Sequence, residues 1–203
     1  MRPAAFRGFV VVSGAPASGK STLAPALAAE LDLPLLAKDV VKDALVDVLG
    51  APDLPRSREL GRAAVQVLFA VAGTAGAAVL ESVWHGYARA PLAALPGPVV
   101  EVFCRCDPDV LRARFAARAA SRGAGYHDRE RSAAELWNAE VGSPVGGGPL
   151  PSPGSTPPRG AADDPGWRTW PVLEVDTGAA VDVPALARRI TAAAGRASTA
   201  ARP

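Results

Sequence analysis

The sequence predicts an α/β fold in which helices cover both faces of a five-stranded parallel sheet. Two observations indicate this fold: five short apolar runs alternate with helical segments, and the first run leads through a glycine-rich turn into a helix. The chain has 203 residues and a formal net charge of +2. The length suits a single domain over 1–203, and the charge balance gives no support to a general nucleic-acid or membrane-surface binder.

The first strand is predicted over Gly8–Ser13, a β-branched run of the kind that is buried in parallel sheets. The next helix spans Lys20–Leu31, with Pro25 early enough in it for the lost N–H to matter little. Asp107 and Pro108 are typical of a helix start, and Gly50 of a helix end. Further strands are predicted over 33–37, 77–81, 99–106 and 171–176, and further helices over 39–49, 56–73, 87–95, 108–121 and 184–194.

Three segments differ in kind from these elements. Residues 122–141 are polar and charged. Residues 142–168 contain 7 Pro and 7 Gly in 27 positions with little apolar periodicity, which predicts a flexible insertion. Residues 195–203 are expected to be a frayed tail. No apolar run approaches the ~18 residues of a membrane helix, and the apolar start is too short for a signal peptide, so we expect a cytoplasmic protein.

The strongest motif follows the first strand and matches G-x-x-x-x-G-K-[ST] in full. Its glycines allow backbone N–H groups to surround an anion, and the helix that follows directs its positive end to the same place. Lys20 is expected to reach the β- and γ-phosphates of a nucleotide, and the hydroxyl of Ser21 to reach Mg²⁺. The predicted nucleotide-binding residues are Gly14, Ala15, Pro16, Ala17, Ser18, Gly19, Lys20, Ser21 and the adjoining Thr22.

The stretch that begins at this loop, GAPASGKSTLAPALAAELDLPLLAKDVVKDAL, resembles small P-loop kinases related to zeta toxins, chloramphenicol phosphotransferase and gluconate kinase. The resemblance continues more weakly through VLESVWHGYAR and VEVFCRCDPDVLRARFAARAASR to VLEVDTG, and leaves out 142–168. It implies a nucleoside-monophosphate-kinase-like fold, ATP and Mg²⁺ as cofactors, and phosphoryl transfer to a hydroxyl of a small molecule.

Asp39 follows the second strand and is expected at the same sheet edge as the phosphate loop. The resemblance implies that an aspartate here accepts or orients the proton of the attacking hydroxyl. An alternative is that Asp39 only caps its helix, although a capping box would have Glu or Gln where this chain has Lys42. Lys38 and Lys42 either flank the acceptor or lie on a solvated helix face.

Glu81 ends the third strand, and the resemblance implies an acidic residue here, near magnesium or the acceptor. The alternative is that Glu81 is an ordinary charged residue at a strand end. Trp84, His85 and Tyr87 follow closely, and a polar-aromatic cluster suits an acceptor pocket. Trp84 could equally belong to the core, and a lone histidine such as His85 is more often structural than a base.

Residues 112–131 contain six arginines against Asp128 and Glu130. The resemblance implies that 122–141 form a lid and that Arg118 and Arg122 neutralise the transferred phosphoryl group. An Arg-rich surface without this role is the alternative. Thr177 resembles, weakly, part of the loop that lies against adenine in these kinases. Cys104 and Cys106 are expected to be reduced thiols.

The sequence therefore predicts an ATP-dependent phosphotransferase that acts on a small hydroxylated molecule of antibiotic, sugar or nucleotide-sugar type. Two alternatives stay open: a polynucleotide 5′-hydroxyl or nucleotide kinase, and a nucleotide-binding regulatory ATPase without an acceptor. The low net charge disfavours nucleic acid as a partner. The oligomeric state is left open.

Overall fold

The computed structural model describes residues 6–139, 141–146 and 170–200, without the side chains of residues 120, 121, 124 and 197–200. Its elements alternate between strand and helix, as predicted. The strands are β1 (Phe9–Ser13), β2 (Leu35–Ala37), β3 (Ala78–Glu81), β4 (Val99–Arg105) and β5 (Val172–Asp176). The helices are α1 (Lys20–Leu31), α2 (Lys38–Leu49), α3 (Leu54–Ala75), α4 (Arg89–Ala93), α5 (Pro108–Ser121), α6 (Ala133–Leu136) and α7 (Val183–Ala200).

The five strands form one parallel sheet in the order β2-β3-β1-β4-β5. β1 lies at the centre, with Val12 opposite Glu81 of β3 on one side and Val102 of β4 on the other. After β1 the chain forms β2 and β3 on one side of it, and then crosses over to form β4 and β5 on the other side. A crevice at the carboxyl ends of the strands results, which is where ligands bind in open α/β sheets.

Side chains alternate between the two faces of β1, and each face has its own apolar core. Val10 and Val12 pack with α1 and α7 on one face, where Leu27 and Ile190 are fully buried. Phe9 and Val11 pack on the opposite face with helices that include α3 and α4. The central strand is therefore covered on both sides, and its end is held rigidly.

The fold class and the order of elements are confirmed, and most element bounds agree to within two residues. α1 runs through Pro25, Asp107 caps α5 by accepting from the N–H groups of Asp109 and Val110, and Gly50 caps α2. Cys104 and Cys106 are both free thiols. The largest difference is α7, which continues to Ala200 through part of the segment expected to be frayed, whereas 201–203 lie outside the described residues.

The predicted flexible insertion begins with residues that are packed. The carboxylate of Glu101, which is fully buried on β4, accepts hydrogen bonds from the backbone N–H groups of Val145 and Gly146 at 2.8 and 2.7 Å. Ser13 Oγ and Trp170 Nε1 also donate to it. Both ends of the 147–169 stretch are thus tied to one buried carboxylate. Residues 147–168, where flexibility was predicted, lie outside the described residues.

We predict that Glu101→Leu lowers the free energy of unfolding by about 3 kcal/mol or more. Four donors, three of them buried, lose their acceptor, and each unsatisfied buried group costs about 1–3 kcal/mol. Urea unfolding followed by tryptophan fluorescence measures this change. The matched control is Glu174→Gln on β5, where the carboxylate pairs with the exposed Arg105. Its unfolding midpoint should stay close to that of the native chain. Equal midpoints for both variants would contradict the anchoring role of Glu101.

Candidate active site

The phosphate loop joins β1 to α1 and has the backbone that its glycines predict. Gly14 has φ +130°, and a Cβ there would lie 2.5 Å from the carbonyl oxygen of Cys104. Gly19 has φ +86° at the start of α1, where a Cβ would press on Thr177. Larger residues would distort the loop at both positions. A loop of this shape and the N-terminus of α1 together form an anion-binding concavity.

Lys20 lies inside this loop and is 5% exposed. Its Nζ donates to the backbone oxygen of Ala15 at 2.7 Å and lies 3.5 Å from Ser18 Oγ. Burial lowers the pKa of Lys20 to about 8, against the attraction of the nearby Glu81 carboxylate. Polyphosphate in the loop would add negative charge beside this ammonium and favour its protonated form.

Ser21 and Glu81 form the pair that suits a divalent cation. Ser21 Oγ donates to Glu81 Oε1 at 3.3 Å, although the two residues are 60 apart in sequence. Glu81 ends β3 and is 5% exposed, and burial raises its pKa. A serine hydroxyl and a carboxylate are the oxygen ligands that Mg²⁺ prefers beside a phosphate loop, so these residues fit the ion that the sequence predicts.

Asp39 lies in the first turn of α2 and makes no capping hydrogen bond; the cap position is held by Ala37. Its two oxygens pair instead with Lys38 Nζ, at 2.9 Å, and with the guanidinium of Arg122. Burial acts to raise the pKa of Asp39, but these two cations outweigh it and hold the pKa well below its usual range. The cap-only interpretation is wrong, and Asp39 is an ionised hydrogen-bond acceptor.

The predicted lid, 122–141, contains two 3₁₀ turns and α6, and it lies against α2 and α3. The Tyr126 hydroxyl donates to Asp43 Oδ1 at 2.5 Å, and His127 Nε2 lies 2.8 Å from the backbone oxygen of Ala51. Gly125 passes so close to Val46 that a Cβ would meet it at 2.6 Å. The described part of the lid therefore packs closely against the two helices.

Arg118 and Arg122, both predicted to face the transferred phosphoryl group, project from the end of α5 toward the crevice. Arg122 lies between Asp39 and Asp128 and stacks on the Tyr126 ring at 3.2 Å. Burial lowers the pKa of Arg118, and so does its neighbour Arg122. Two guanidiniums held this close repel each other, so an anion between them would be stabilised.

Two cavities open on either side of these residues. The nucleotide-side cavity, of about 520 Å³, lies over the phosphate loop and is also lined by Thr177 and Arg114. The acceptor-side cavity, of about 370 Å³, lies between α2, α3 and the lid. Both volumes are in the range of small-molecule sites. The described residues that line both cavities are Lys20, Ser21 and Arg118, so the cavities meet where a γ-phosphate would lie.

Most predicted substrate residues line the acceptor-side cavity. Lys42 lines it and is only 1% exposed. The alternative interpretation, that Lys42 lies on a solvated helix face, is therefore wrong. His85 and Tyr87 also line it, with their rings stacked 5.8 Å apart. Trp84 does not: it is buried in the core beneath β1, where its Nε1 donates to the Val12 oxygen at 3.1 Å. Successive side chains after β3 point to opposite sides, so Trp84 faces the core and His85 faces the cavity.

Thr22 and Thr177 line the nucleotide-side cavity. The Thr177 hydroxyl is engaged by the protein, since its one hydrogen lies between the backbone oxygens of Ser18, at 2.6 Å from Oγ1, and Arg105, at 2.7 Å. Thr177 therefore fixes the phosphate loop against the end of β4. Its predicted contact with adenine stays a prediction.

Sequence reasoning missed several residues of the acceptor side. Arg58 and Arg62 project from adjacent turns of α3, Arg131 comes from the lid, and Ser57 accepts from Lys42. The only available signal was the i, i+4 spacing of Arg58 and Arg62, which places them on one helix face. In a chain with 22 basic residues this spacing carries little information.

A family model described as an AAA domain (AAA_33) matches residues 9–140, which include the phosphate loop, Asp39, Glu81 and α5. The chain belongs to this AAA_33 family. No curated protein matches the chain. Among the described residues no helix is long and apolar enough to cross a membrane, and the cytoplasmic location stays a prediction.

Several solved structures with a similar fold are described as kinases. A provisionally assigned kinase from Chloroflexus aurantiacus J-10-fl superposes with a TM-score of 0.68 at 25% identity, over 92% of this chain and 98% of that one. A gluconokinase from Sinorhizobium meliloti 1021 gives 0.52 at 18% identity, over 96% and 95%. The Mycobacterium tuberculosis APS kinase, solved with AMPPNP and APS, gives 0.51 at 18% identity, over 91% and 95%. The fold of this AAA_33 member is that of the P-loop kinases.

We predict that Trp84→Phe lowers stability by about 1 kcal/mol, through the lost hydrogen bond to Val12, while the KM for the acceptor stays within twofold. His85→Ala, one residue away and facing the cavity, is the matched comparison and should raise that KM. Denaturation curves and steady-state kinetics on both variants check this. A raised KM in Trp84→Phe alone would place the indole, against expectation, in the acceptor site.

Proposed function

We propose that this protein transfers the γ-phosphoryl group of ATP to a hydroxyl of a small molecule. The observation that carries the proposal is the meeting of two cavities of small-molecule size at Lys20, Ser21 and Arg118. One cavity is lined by residues 17–22 of the phosphate loop and the start of α1. The other is lined by a carboxylate, that of Asp39, which follows the end of β2. Phosphoryl transfer requires this arrangement, with donor and acceptor in line across a cationic junction.

On the donor side, the loop N–H groups and Lys20 bind the phosphates and fix the γ-phosphorus toward the acceptor-side cavity. Ser21 and Glu81 would hold Mg²⁺, which neutralises charge on the phosphate oxygens when bound. Thr177 keeps the loop in place through its bond to the Ser18 oxygen. These residues align the donor before any bond is broken.

On the acceptor side, Asp39 accepts a hydrogen bond from the attacking hydroxyl and directs a lone pair of that oxygen to the γ-phosphorus. The new O–P bond forms as the bond between the γ-phosphorus and the β,γ-bridging oxygen breaks, ADP leaves, and the hydroxyl proton passes to water. An Asp39 of low pKa is a weak base, but a loose transition state needs alignment more than proton removal. Asp39 therefore acts mainly by orientation.

The arginines stabilise charge as it spreads over the transferred group. Arg118 lies at the junction of the cavities, and Arg122 lies next to Asp39 at the lid. Guanidiniums fixed in a partly buried site cost little reorganisation during the reaction. The lid covers the acceptor side, which would limit attack by water.

The experiment that tests this function is a screen of hydroxylated small molecules with γ-³²P-labelled ATP and Mg²⁺. Label recovered on an organic product supports the proposal. Label released only as inorganic phosphate across the whole panel would contradict it and favour a regulatory ATPase. Labelled oligonucleotides or nucleotides would identify instead a polynucleotide or nucleotide kinase.

We predict that Lys20→Met lowers phosphotransfer by about 10³-fold or more while the protein stays folded, because the ammonium is required at the β- and γ-phosphates. Turnover and thermal unfolding are measured together. The control is Arg112→Gln, which removes an exposed cation paired with Asp109 on α5. Turnover within tenfold of native in Lys20→Met would contradict the role of the loop.

We predict that Asp39→Asn lowers turnover by about 10²-fold and changes ATP affinity by no more than a few-fold, since the carboxylate acts on the acceptor. Asp47→Asn, on the exposed side of the same helix, should leave both quantities near native. ATP binding by calorimetry and kcat with the identified acceptor separate the two effects. Native turnover in Asp39→Asn would shift the orienting role to Glu81.

A further inference from the structure

The acceptor-side cavity contains more positive than negative side chains, even after the groups that face ATP are set aside. Lys20 and Arg118 belong to the junction, and Glu81 belongs to the predicted magnesium site. The described side chains that remain on the cavity wall are six cations against three carboxylates: Lys38, Lys42, Arg58, Arg62, Arg122 and Arg131 against Asp39, Asp128 and Glu135. A neutral polyol would gain nothing from this excess of positive charge.

Each of the three carboxylates is already shared between two cations. Asp39 pairs with Lys38 and Arg122, and Asp128 lies 3.5 Å from Arg122 and 3.7 Å from Arg131. Glu135 pairs with Arg58 at 2.8 Å and Arg131 at 3.1 Å. Within the part of the chain that the structure describes, this leaves Lys42 and Arg62 without an ion pair to any of the three.

Lys42 is the more informative of the two because it is buried. Its Nζ donates to Ser57 Oγ at 2.7 Å and lies 4.3 Å from the centre of the Tyr126 ring. An ammonium has three donors, and the hydroxyl uses one. Burial, together with the neighbouring cations Lys38 and Arg131, lowers the pKa of Lys42 to about 8. A buried cation among other cations is costly unless an anion joins it.

Resting on the kinase function proposed above, we propose that the acceptor carries an anionic oxygen group, a carboxylate or a phosphate, in addition to its reacting hydroxyl, and that Lys42 and Arg62 bind this group. Lys42 lies one helical turn from Asp39 on α2, so the Cβ atoms of the two residues are about 5–6 Å apart and their side chains can contact one small acceptor. This spacing suits a compact hydroxy acid or sugar phosphate. The anionic group fixes the acceptor in one register and places a single hydroxyl at Asp39.

The chain offers a direct spectroscopic test, because its three lysines, Lys20, Lys38 and Lys42, all lie in the site. Protein grown with ε-¹³C-lysine gives three side-chain signals, assigned with single lysine-to-arginine variants. The nucleotide cavity is first saturated with AMP-PNP and Mg²⁺, and acetate or inorganic phosphate is then titrated. We expect the Lys42 signal to move saturably and its pKa to rise above about 8, while chloride at equal ionic strength has no such effect.

The Lys20 signal separates this inference from the proposed function. If the Lys20 signal responds to AMP-PNP but the Lys42 signal responds to neither anion, only the proposal of an anionic acceptor is overturned. A Lys20 signal that ignores AMP-PNP would overturn the nucleotide site and with it the proposed function. A response to acetate only, or to phosphate only, identifies which anionic group the site accepts.

Kinetics on matched acceptors give a second, independent measurement. The panel pairs each neutral polyol with the corresponding carboxylic acid and with the corresponding phosphate ester. We expect Lys42→Met to raise the KM of the anionic acceptor at least tenfold with a smaller effect on kcat, and Lys42→Arg to restore part of the loss. Lys42→Met should fold at least as stably as the native chain, because it removes a buried charge at similar length. A neutral polyol preferred over its anionic partners by the native protein would refute the proposal.

Discussion

The ion pair between Arg122 and Asp39 connects the lid to the start of α2, at the carboxyl-terminal edge of the sheet, and the arrangement of the acceptor-side cavity depends on it. Asp39 is positioned by the start of α2, and Arg122 by the end of α5. The pair keeps Asp39 ionised, places Arg122 on the Tyr126 ring and brings the lid over the cavity. Without it, Asp39 would be a half-buried carboxylate with Lys38 alone, and Arg122 would lose the partner that compensates its burial.

The other carboxylates of the cavity wall are, like Asp39, each paired with two cations. Ion pairs run from Lys38 through Asp39, Arg122, Asp128, Arg131 and Glu135 to Arg58, so that positive and negative groups alternate around the cavity wall. Alternation allows several arginines to be partly buried without a prohibitive desolvation cost. It also fixes their guanidinium planes before a ligand arrives, and a preorganised site loses less free energy on binding.

The features that could be predicted from the sequence are those determined by residues close together in the chain. The phosphate loop, the β-branched β1, the Asp107 cap and the order of elements all depend on residues close together in the chain, so they could be recognised directly. The environments of Trp84 and Lys42 could not be recognised in this way, because whether a side chain faces a core or a cavity depends on elements distant in sequence. Trp84 reaches the Val12 oxygen across 72 positions, and Lys42 is covered by Ser57 and Tyr126. The anchoring of Val145 and Gly146 depends likewise on Glu101, far earlier in the chain.

The use of lysine at position 42 has a physical reason of its own. Of the 22 basic residues only three are lysines, so most positions that need only a positive charge carry arginine. An ammonium is compact, and at position 42 it fits between a hydroxyl at 2.7 Å and an aromatic face at 4.3 Å. A planar guanidinium needs more room and presents its donors in a fixed fork. The same need for a compact cation holds for Lys20, whose Nζ reaches the Ala15 oxygen inside the phosphate loop. In a chain so rich in arginine, lysine therefore occurs where the shape of the charged group matters as well as its sign.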